Sequence, residues 1–439
     1  MSWVVSEDGL WYIRDVGKGL WAGMNFVIFA RNFYPLNDAE AFCSTRFASA
    51  LAKAGHSVHV VTAEYPGEGG GYKALVHPNL KITRVKAEKR ECRVTSRLSA
   101  LKTINLRHAT VMDGDIHNLA AFVSATKEAL SQYKDPILVT RALPMMSLYV
   151  GWHCRKHAAK WISHLSDPIP GTPYCSMLVR LQCAFMRFWL RRAFRYADAT
   201  SVTCKRAIRW YQETLGAVVD ESRCFVTTHI GDNKLESKGG KSNLRTDGKD
   251  VILHSGDMYF GRGELILDAV EELNKRGVSC TFVQDRSVNS VLAAKFRRYP
   301  HAMLMDGMRT AEESVALMES ASAVFVADFS SSLDYSATFM SKFVYQAFGD
   351  KPMIVYANVD SEKHDYCVRY PEAGLFFAEQ GNLKSLVGAC RAALSCDKAH
   401  IDRTALRLWF SEDRIAKDFI RNLNHGDRPL YKPNRNLIY

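Results

Sequence analysis

The stretch from 323 to 357 constrains the fold more than any other part of the chain. Two short apolar runs, Ala323–Ala327 and 353–356, flank a polar loop and a helical pattern that begins at Lys342. Apolar runs of this length are typical of buried strands in parallel sheets. The free N–H groups and the dipole at a helix start attract anions, so the stretch predicts an anion-binding loop with Lys342 beside it. The alternative, a loop that only connects two elements, stays open on these residues alone.

The same alternation of apolar runs and helical patterns fills two blocks, at 24–231 and 250–404. Between them, residues 232–249 are polar and rich in Gly, Ser and Lys, which is the composition of a domain linker. A last helical pattern falls within 405–439, after the second block is complete, and we expect it to pack back on the first domain. The pattern predicts an α/β fold of two Rossmann-like domains that face a central cleft, where a ligand is expected.

Residues 1–23 do not share this alternation. They lack the charged start, apolar centre and cleavage site of a secretory signal, and the globular pattern begins abruptly at Met24. We expect an extension outside the core, with Met24 as the natural start.

Composition narrows the class of protein. A chain of 439 residues can form two or three domains, and a formal charge of +12 favours a polyanionic substrate, nucleic acid or an anionic membrane surface. Eleven cysteines without a CxxC spacing indicate reduced thiols in a cytosolic compartment and argue against a zinc site. No apolar run approaches the roughly 20 residues that a membrane-spanning helix needs.

Positive charge is concentrated at 151–210, where eleven Lys or Arg face two Asp, a local net charge of +9. Within it, residues 175–196 predict an amphipathic helix with a stripe of four arginines. These are Arg180, Arg187, Arg191 and Arg195. Two interpretations stay open: a solvated basic face, or a contact with an anionic membrane leaflet. No nucleic-acid partner is expected, because no recognised nucleic-acid motif surrounds the stripe.

Five segments together resemble a known family. In chain order they are NFVIFARNFYPLNDAEAFCSTRFASALAKAGHSVHVVT, WISHLSDP, ADATSVTCKRAIRWY, ILHSGDMYFGRGELILDAV and SATFMSKFVYQAFGDKPMIV. Their order and spacing resemble the GT-B glycosyltransferases of family 4. The resemblance implies a nucleotide-diphosphate sugar as donor, a glycan or lipid-linked acceptor and a retained anomeric configuration.

The resemblance also implies a set of donor-binding residues. Charge builds on the leaving diphosphate, so cations are needed there, and Arg262 and Lys342 match the family's two. Gly256 lets the chain pass close to the donor. The full donor set is Gly256, Arg262, Asp306, Met308, Ser341, Lys342 and Tyr345. The resemblance implies no metal and no other cofactor.

On the acceptor side, His164 matches a histidine that the family uses near the sugar hydroxyls, although a core or capping histidine is the alternative. Asn37, Asp38 and Glu40 stand where the family usually has a glycine pair. Asp167 either orients an acceptor or starts a turn with the proline that follows it.

The family often carries two glutamates that flank a seven-residue gap, and this chain departs from that pattern. Alignment on Lys342 puts Ala337 and Tyr345 at those positions, so neither carboxylate is present. Asp328 and Asp334 lie nearby in the sequence.

These observations favour a cytoplasmic glycosyltransferase, peripheral on the inner face of the membrane, that acts in cell-surface polysaccharide synthesis. The alternatives are a nucleotide-sugar epimerase or phosphorylase of the same fold, and a non-catalytic relative that binds a glycan or a partner enzyme.

Overall fold

The computed structural model describes residues 3–5, 11–13, 23–64, 73–86, 118–142, 144–168, 177–231, 248–256, 258, 263–286, 288–305, 307, 309–328 and 337–424. The predictions for the Arg180 side chain and for Arg262, Asp306, Met308 and Asp334 concern residues outside this described part.

The first large sheet is parallel and has seven strands. A short antiparallel pair, β1 (Trp3–Val5) and β2 (Trp11–Ile13), precedes it as a separate sheet. The seven strands are β3 (Asn25–Phe29), β4 (Ser57–Glu64), β5 (Lys81–Lys86), β6 (Ile137–Ala142), β7 (Lys160–Leu165), β8 (Ala199–Val202) and β9 (Cys224–Val226). Their order is β5-β4-β3-β6-β7-β8-β9. The central strands are buried on both faces, as their continuous apolar runs predict.

The second large sheet is also parallel and has six strands. They are β10 (Asp250–His254), β11 (Cys280–Gln284), β12 (Ala302–Leu304), β13 (Ala323–Ala327), β14 (Met353–Ala357) and β15 (Leu375–Glu379). Their order is β12-β11-β10-β13-β14-β15. The two sheets confirm the predicted α/β fold with two Rossmann-like domains.

Helices cover both sheets. Those that follow the first-sheet strands are α1 (Ala39–Lys53), α2 (Leu119–Ser131), α3 (Met146–Cys154), α4 (Met177–Tyr196) and α5 (Lys205–Leu215). Those of the second domain are α6 (Leu265–Lys275), α7 (Ser290–Phe296), α8 (Ala311–Ser320), α9 (Ser341–Ala347), α10 (Glu362–Arg369), α11 (Leu383–Leu394) and α12 (Thr404–Trp409). The last helix is α13 (Glu412–Asn424). Among the described residues, no helix combines the length and the hydropathy that crossing a membrane would take.

Helix α13 returns to the first domain, as predicted. The ring of Phe419 lies 4.9 Å from that of Phe47, 5.6 Å from that of Phe225 and 6.2 Å from that of Phe26, measured between centroids. These partners belong to α1 or to strands of the first sheet, so the end of the chain completes the core of its beginning.

The chain passes between the domains at two places, and these touch. The N–H of Gly231, where the first block ends, donates to the carbonyl of Phe410 at 2.9 Å, just before α13 begins. Phe410 is fully buried, and its ring lies 5.8 Å from that of Phe339 in the second domain.

Four elements of the second domain were not predicted from the sequence: the helices α7, α10 and α12 and the parallel strand β15. Only helices were expected after β14. The strand is a half-buried edge strand with a four-residue apolar run, Leu375 to Ala378, which gives a weak signal.

Candidate active site

The carboxyl ends of both sheets provide the same kind of crevice. In the second sheet, β10 and β13 are neighbours although they are distant in sequence, so the chain leaves them in opposite directions. Such a switch point is where parallel α/β sheets bind ligands. Gly256 follows β10 and Asp328 follows β13 at this point.

Lys342 and Gly256 meet at the second-domain switch point. Gly256 has a φ of +97°, and a Cβ built on it would lie 2.5 Å from Nζ of Lys342 and 2.6 Å from its Cε. The absence of a side chain at Gly256 therefore gives the lysine its room. The two residues, predicted as parts of a donor site, lie in contact.

Helix α9 has seven residues, from Ser341 to Ala347, and begins one residue before the predicted start at Lys342. The residue before it, Met340, makes no side-chain cap, and Ser341 is buried. Positive charge at this point comes from the ammonium of Lys342 rather than from a long helix dipole.

The segment that leads into α9 is held by three side chains through consecutive carbonyls. Cys204 Sγ donates to the carbonyl of Ala337 at 2.9 Å, Lys363 Nζ donates to that of Thr338, and His229 Nε2 donates to that of Phe339 at 2.8 Å. Two of the three donors, Cys204 and His229, belong to the first domain. The position of the Lys342 loop is thus tied to the first domain.

Lys363 also closes the base of this loop. Its Nζ lies 2.8 Å from Oδ2 of Asp328, and both side chains are almost fully buried. The pair joins the end of β13 to the segment before α9. In the sequence, Asp328 lies near the positions where the family's two glutamates are missing. Its carboxylate forms this ion pair with Lys363.

His229 joins α1 to the second domain. Its Nδ1 lies 3.2 Å from Sγ of Cys43. Because Nε2 donates to a carbonyl, Nδ1 accepts from the thiol when the ring is neutral. Burial lowers the pKa of His229 and raises the pKa of Cys43 to about 12, so the neutral ring and the protonated thiol are the stable forms. Sequence reasoning missed this pair, because nothing local distinguishes either residue.

Tyr345 makes a contact between the domains. The guanidinium carbon of Arg46, on α1, lies 4.0 Å from the centroid of the Tyr345 ring, and Phe42 meets the same ring edge-on at 6.4 Å. Burial raises the pKa of the Tyr345 hydroxyl well above its usual value, which the charge of Arg46 partly offsets. At the position of the family's second glutamate, this chain has an aromatic platform for an arginine.

The residues predicted for the acceptor side lie at the carboxyl edge of the first sheet. Asn37 Nδ2 donates to the carbonyl of Arg309 in the second domain at 3.0 Å. Asp38 caps α1 by accepting from the N–H of Ala41 at 2.7 Å. Glu40 Oε1 lies 3.3 Å from Nε of Arg141. Asn37 thus spans the domains, whereas Asp38 has a capping role.

His164 is enclosed in the first domain. It is 2% exposed, its Nδ1 lies 3.0 Å from Oγ of Ser201, and its ring stacks on Phe47 at 6.3 Å. Burial, with the charge of Arg141, lowers its pKa well below the usual value, so the ring is neutral. Its Nε2 is buried without a hydrogen-bond partner.

Asp167 follows β7 and accepts, through its backbone carbonyl, from the hydroxyl of Tyr211 at 2.8 Å. Its carboxylate lies near enough to His229 to oppose the fall in that ring's pKa. Asp167, His229 and Glu40 are therefore near neighbours at the edge of the first sheet.

The exposed face of α4 carries aromatic rings among its arginines. Phe185 is 39% exposed and Phe188 is 45% exposed. The guanidinium of Arg192 lies 4.4 Å from the ring of Phe188 and 4.6 Å from that of Trp152, on α3. We call this surface the α4 face; its exposed arginines are Arg187, Arg191 and Arg195.

Among the described residues, no group of three or more His, Cys, Asp or Glu side chains is arranged to hold a metal ion.

Comparisons with known proteins agree with this geometry. Residues 41–227 match the family described as Glycosyl transferase 4-like domain. No curated protein matches the chain.

Several solved structures share its fold. An α,α-trehalose-phosphate synthase (UDP-forming) from Burkholderia xenovorans, in complex with glucose-6-phosphate, is 10% identical, with 92% of this chain and 100% of that chain covered and a TM-score of 0.58. A trehalose-6-phosphate structure from E. coli, bound with UDP-2-fluoro glucose, is 10% identical, with 91% and 99% covered and a TM-score of 0.58. A putative UDP-N-acetylglucosamine 2-epimerase from Listeria monocytogenes is 13% identical, with 92% and 96% covered and a TM-score of 0.51.

The chain therefore has the GT-B fold of these structures, and its residues 41–227 are similar to the glycosyl transferase 4-like domain.

Proposed function

We propose that this protein transfers a sugar from a nucleotide-diphosphate sugar to a glycan or lipid-linked acceptor in the synthesis of cell-surface polysaccharide. Capsule, exopolysaccharide and lipopolysaccharide are the products of this class. The observation that carries the proposal is the contact between Lys342 and Gly256 at the second-domain switch point. It sets an ammonium group beside backbone that a donor can approach closely.

The chemistry needs positive charge where the diphosphate leaves, because negative charge grows there as the glycosidic bond breaks. In the proposal Lys342 supplies one charge and Arg262 the other, with the Ser341 N–H as a further donor and no metal. Asp306 and Met308 hold the nucleotide base, next to Arg309, which bonds to Asn37 of the first domain.

The acceptor enters from the first domain. Asn37, Glu40 and Asp167 line the proposed acceptor side. The neutral ring of His164 is enclosed behind them, so its part in the proposal is the core position that the sequence left as the alternative. By the family resemblance, the anomeric configuration of the transferred sugar is retained.

The proposed location is the cytoplasmic face of the membrane. The α4 face offers exposed arginines for anionic headgroups and exposed phenylalanines for the region just beneath them. A lipid-linked acceptor would be presented at that surface.

The test is release of nucleoside diphosphate from a panel of nucleotide sugars, with and without a glycan acceptor. We expect one donor to be selected, turnover to need the acceptor, and turnover to persist in EDTA. Lys342→Ala should reduce turnover by at least about 100-fold, as loss of a group that stabilises transition-state charge does. Lys384→Ala, an exposed lysine on α11, is the matched control.

An epimerase of the same fold, as the Listeria protein is described, would convert the nucleotide sugar without an acceptor. A phosphorylase would depend on phosphate, and a non-catalytic relative would bind a donor or glycan without turnover. Turnover unchanged in Lys342→Ala would contradict the assignment of the site.

A further inference from the structure

Arg141 occupies the switch point of the first sheet. It lies near the carboxyl end of β6, and β6 pairs with β3 although the chain between them is long. The chain leaves β3 and β6 toward opposite sides of the sheet, and such a switch point is where α/β sheets bind ligands. The residue is 3% exposed, and neither the motifs nor the proposed function assigns it a role.

One side of the Arg141 guanidinium is fixed. Its Nε donates to Oγ of Ser44 at 2.9 Å and lies 3.3 Å from Oε1 of Glu40. The guanidinium carbon lies 5.4 Å from the centroid of the Phe47 ring. These three partners, all on α1, hold the planar group in one orientation.

The other side of the guanidinium is open. No described residue accepts a hydrogen bond from Nη1 or Nη2 of Arg141. Both atoms nevertheless keep some accessible surface, although the side chain as a whole is almost fully enclosed. A ligand in the crevice could therefore be reached through Nη1 and Nη2.

The surroundings leave positive charge without a counterion. Arg46, two turns from Glu40 on α1, is 3% exposed, and all three of its side-chain nitrogens are buried without a hydrogen-bond partner. Glu40 is the carboxylate that pairs with Arg141, and no described carboxylate pairs with Arg46. The nitrogens of Arg46 are enclosed and cannot contact a ligand, so Arg46 contributes through its charge alone, which favours an oxyanion bound nearby.

The nearby imidazoles do not add charge. The charge of Arg141 contributes to lowering the pKa of both His164 and His229, after the larger effect of burial. Both rings are neutral, so the positive charge that would attract an anion here comes from the guanidinium groups.

We propose that Arg141 is a specificity-determining residue that binds an oxyanion carried by a sugar, end-on through Nη1 and Nη2. The inference rests on the cleft of the proposed function and adds the chemistry of a substrate. The oxyanion is a carboxylate or a phosphate, and it belongs either to the transferred sugar or to the acceptor. A planar guanidinium suits both groups because it donates two parallel N–H bonds.

Calorimetry on the whole chain shows whether the oxyanion belongs to the donor sugar or to the acceptor. The donor arm compares UDP, UDP-glucose and UDP-glucuronate. The acceptor arm compares glucose and glucose-6-phosphate in the presence of UDP. If the donor carries the oxyanion, wild type binds UDP-glucuronate more tightly than UDP-glucose; if the acceptor does, it binds glucose-6-phosphate more tightly than glucose.

Arg141→Gln should weaken the preferred oxyanion ligand at least about 10-fold and leave UDP and the neutral sugar unchanged. Arg141→Lys keeps the charge but loses the paired N–H donors of the guanidinium, so its affinity for the oxyanion ligand should lie between those of wild type and Arg141→Gln. If Arg141→Gln does not fold, the comparison of Arg141→Lys with wild type is the test. Arg209→Gln, at an exposed arginine of α5, is the control and should match wild type.

The inference is overturned if wild type prefers neither oxyanion ligand, or if both Arg141 variants bind it as wild type does. Failure of the proposed function looks different, because wild type would then bind none of the UDP ligands. In that case the binding of glucuronate and of glucose-6-phosphate, measured without UDP, tests Arg141 by the same comparison between wild type and Arg141→Gln.

Discussion

The ammonium of Lys342 fills the space that a side chain at Gly256 would occupy. A Cβ there would lie 2.5 Å from Nζ, so the ammonium keeps its present position only while residue 256 is glycine.

Gly256→Ala should therefore reduce nucleotide-sugar affinity about 10-fold, because the lysine must move away from the donor. The same substitution should also lower the free energy of unfolding by about 1 to 2 kcal/mol, because alanine, unlike glycine, is strained at the left-handed φ of residue 256. Calorimetry and urea unfolding measure the two effects.

Gly277→Ala is the matched control, since Gly277 has a φ of +84° but open space around its Cβ position. It should show the loss of stability without the loss of affinity. Equal affinities for the two variants would mean that the Lys342 contact has no bearing on the donor.

The buried pair of Lys363 and Asp328 should be sensitive to removal of one partner. Lys363→Met should lower the free energy of unfolding by about 3 to 5 kcal/mol, because it leaves a buried carboxylate without a counterion. Replacing both residues, with Lys363→Met and Asp328→Leu, should recover much of that loss. Lys384→Met serves as the exposed control. A single variant as stable as wild type would show that the pair is not closed in solution.

The stability of the fold should decrease as pH falls from 7 to 5. Burial lowers the pKa of His229, and Asp167, the Phe339 hydrogen bond and Glu40 only partly oppose it. The ring then takes up a proton mainly on unfolding, near the usual histidine value of about 6.5, so lower pH favours the unfolded chain.

His229→Gln should make that decrease smaller in urea unfolding at the two pH values. His157→Gln, at an exposed histidine, should leave it as in wild type. The same decrease in all three proteins would assign the effect to other groups, His164 among them.

The α4 face should bind anionic lipid through its charge. Changing Arg187, Arg191 and Arg195 to Glu should weaken binding to phosphatidylserine vesicles by roughly 100-fold or more, since each cation contributes about 1 kcal/mol. Vesicle sedimentation at fixed salt measures it.

A set of three exposed cations on the second domain, Lys275, Arg297 and Arg298, changed to Glu, controls for net charge. If both triple variants lose affinity equally, the contact is non-specific; if neither does, the α4 face is an ordinary solvated surface.

Local pattern was enough to predict most of the fold. The apolar run at Ala323–Ala327 and the helix ending at Lys53 are visible because burial imposes its period on neighbouring residues. The edge strand Leu375–Glu379 has the same length but was missed, because it is only half-buried and its apolar run stops after four residues.

The seam between the domains was not predictable in the same way. Cys43 and His229 are 186 residues apart, and His229 and Phe339 are 110 apart. A sequence pattern tells which side of an element is buried but not which distant residue it meets. The family resemblance named Lys342 and Gly256 because both lie in recurring motifs, whereas Arg141 has meaning only once β6 is seen beside β3.

The bond between Gly231 and Phe410 also bears on how the two domains can move. The segment that leaves the first domain at Gly231 and the segment that returns to it at Phe410 are hydrogen-bonded to each other. The two connections between the domains therefore lie at one place and act as a single hinge. Helix α13 packs on the first domain, so any rotation of the domains about these segments carries α13 with the first domain. If the chain were divided at the linker, α13 would belong to the fragment that contains the second domain. The fragment that contains the first domain would then lack Phe419 in its core.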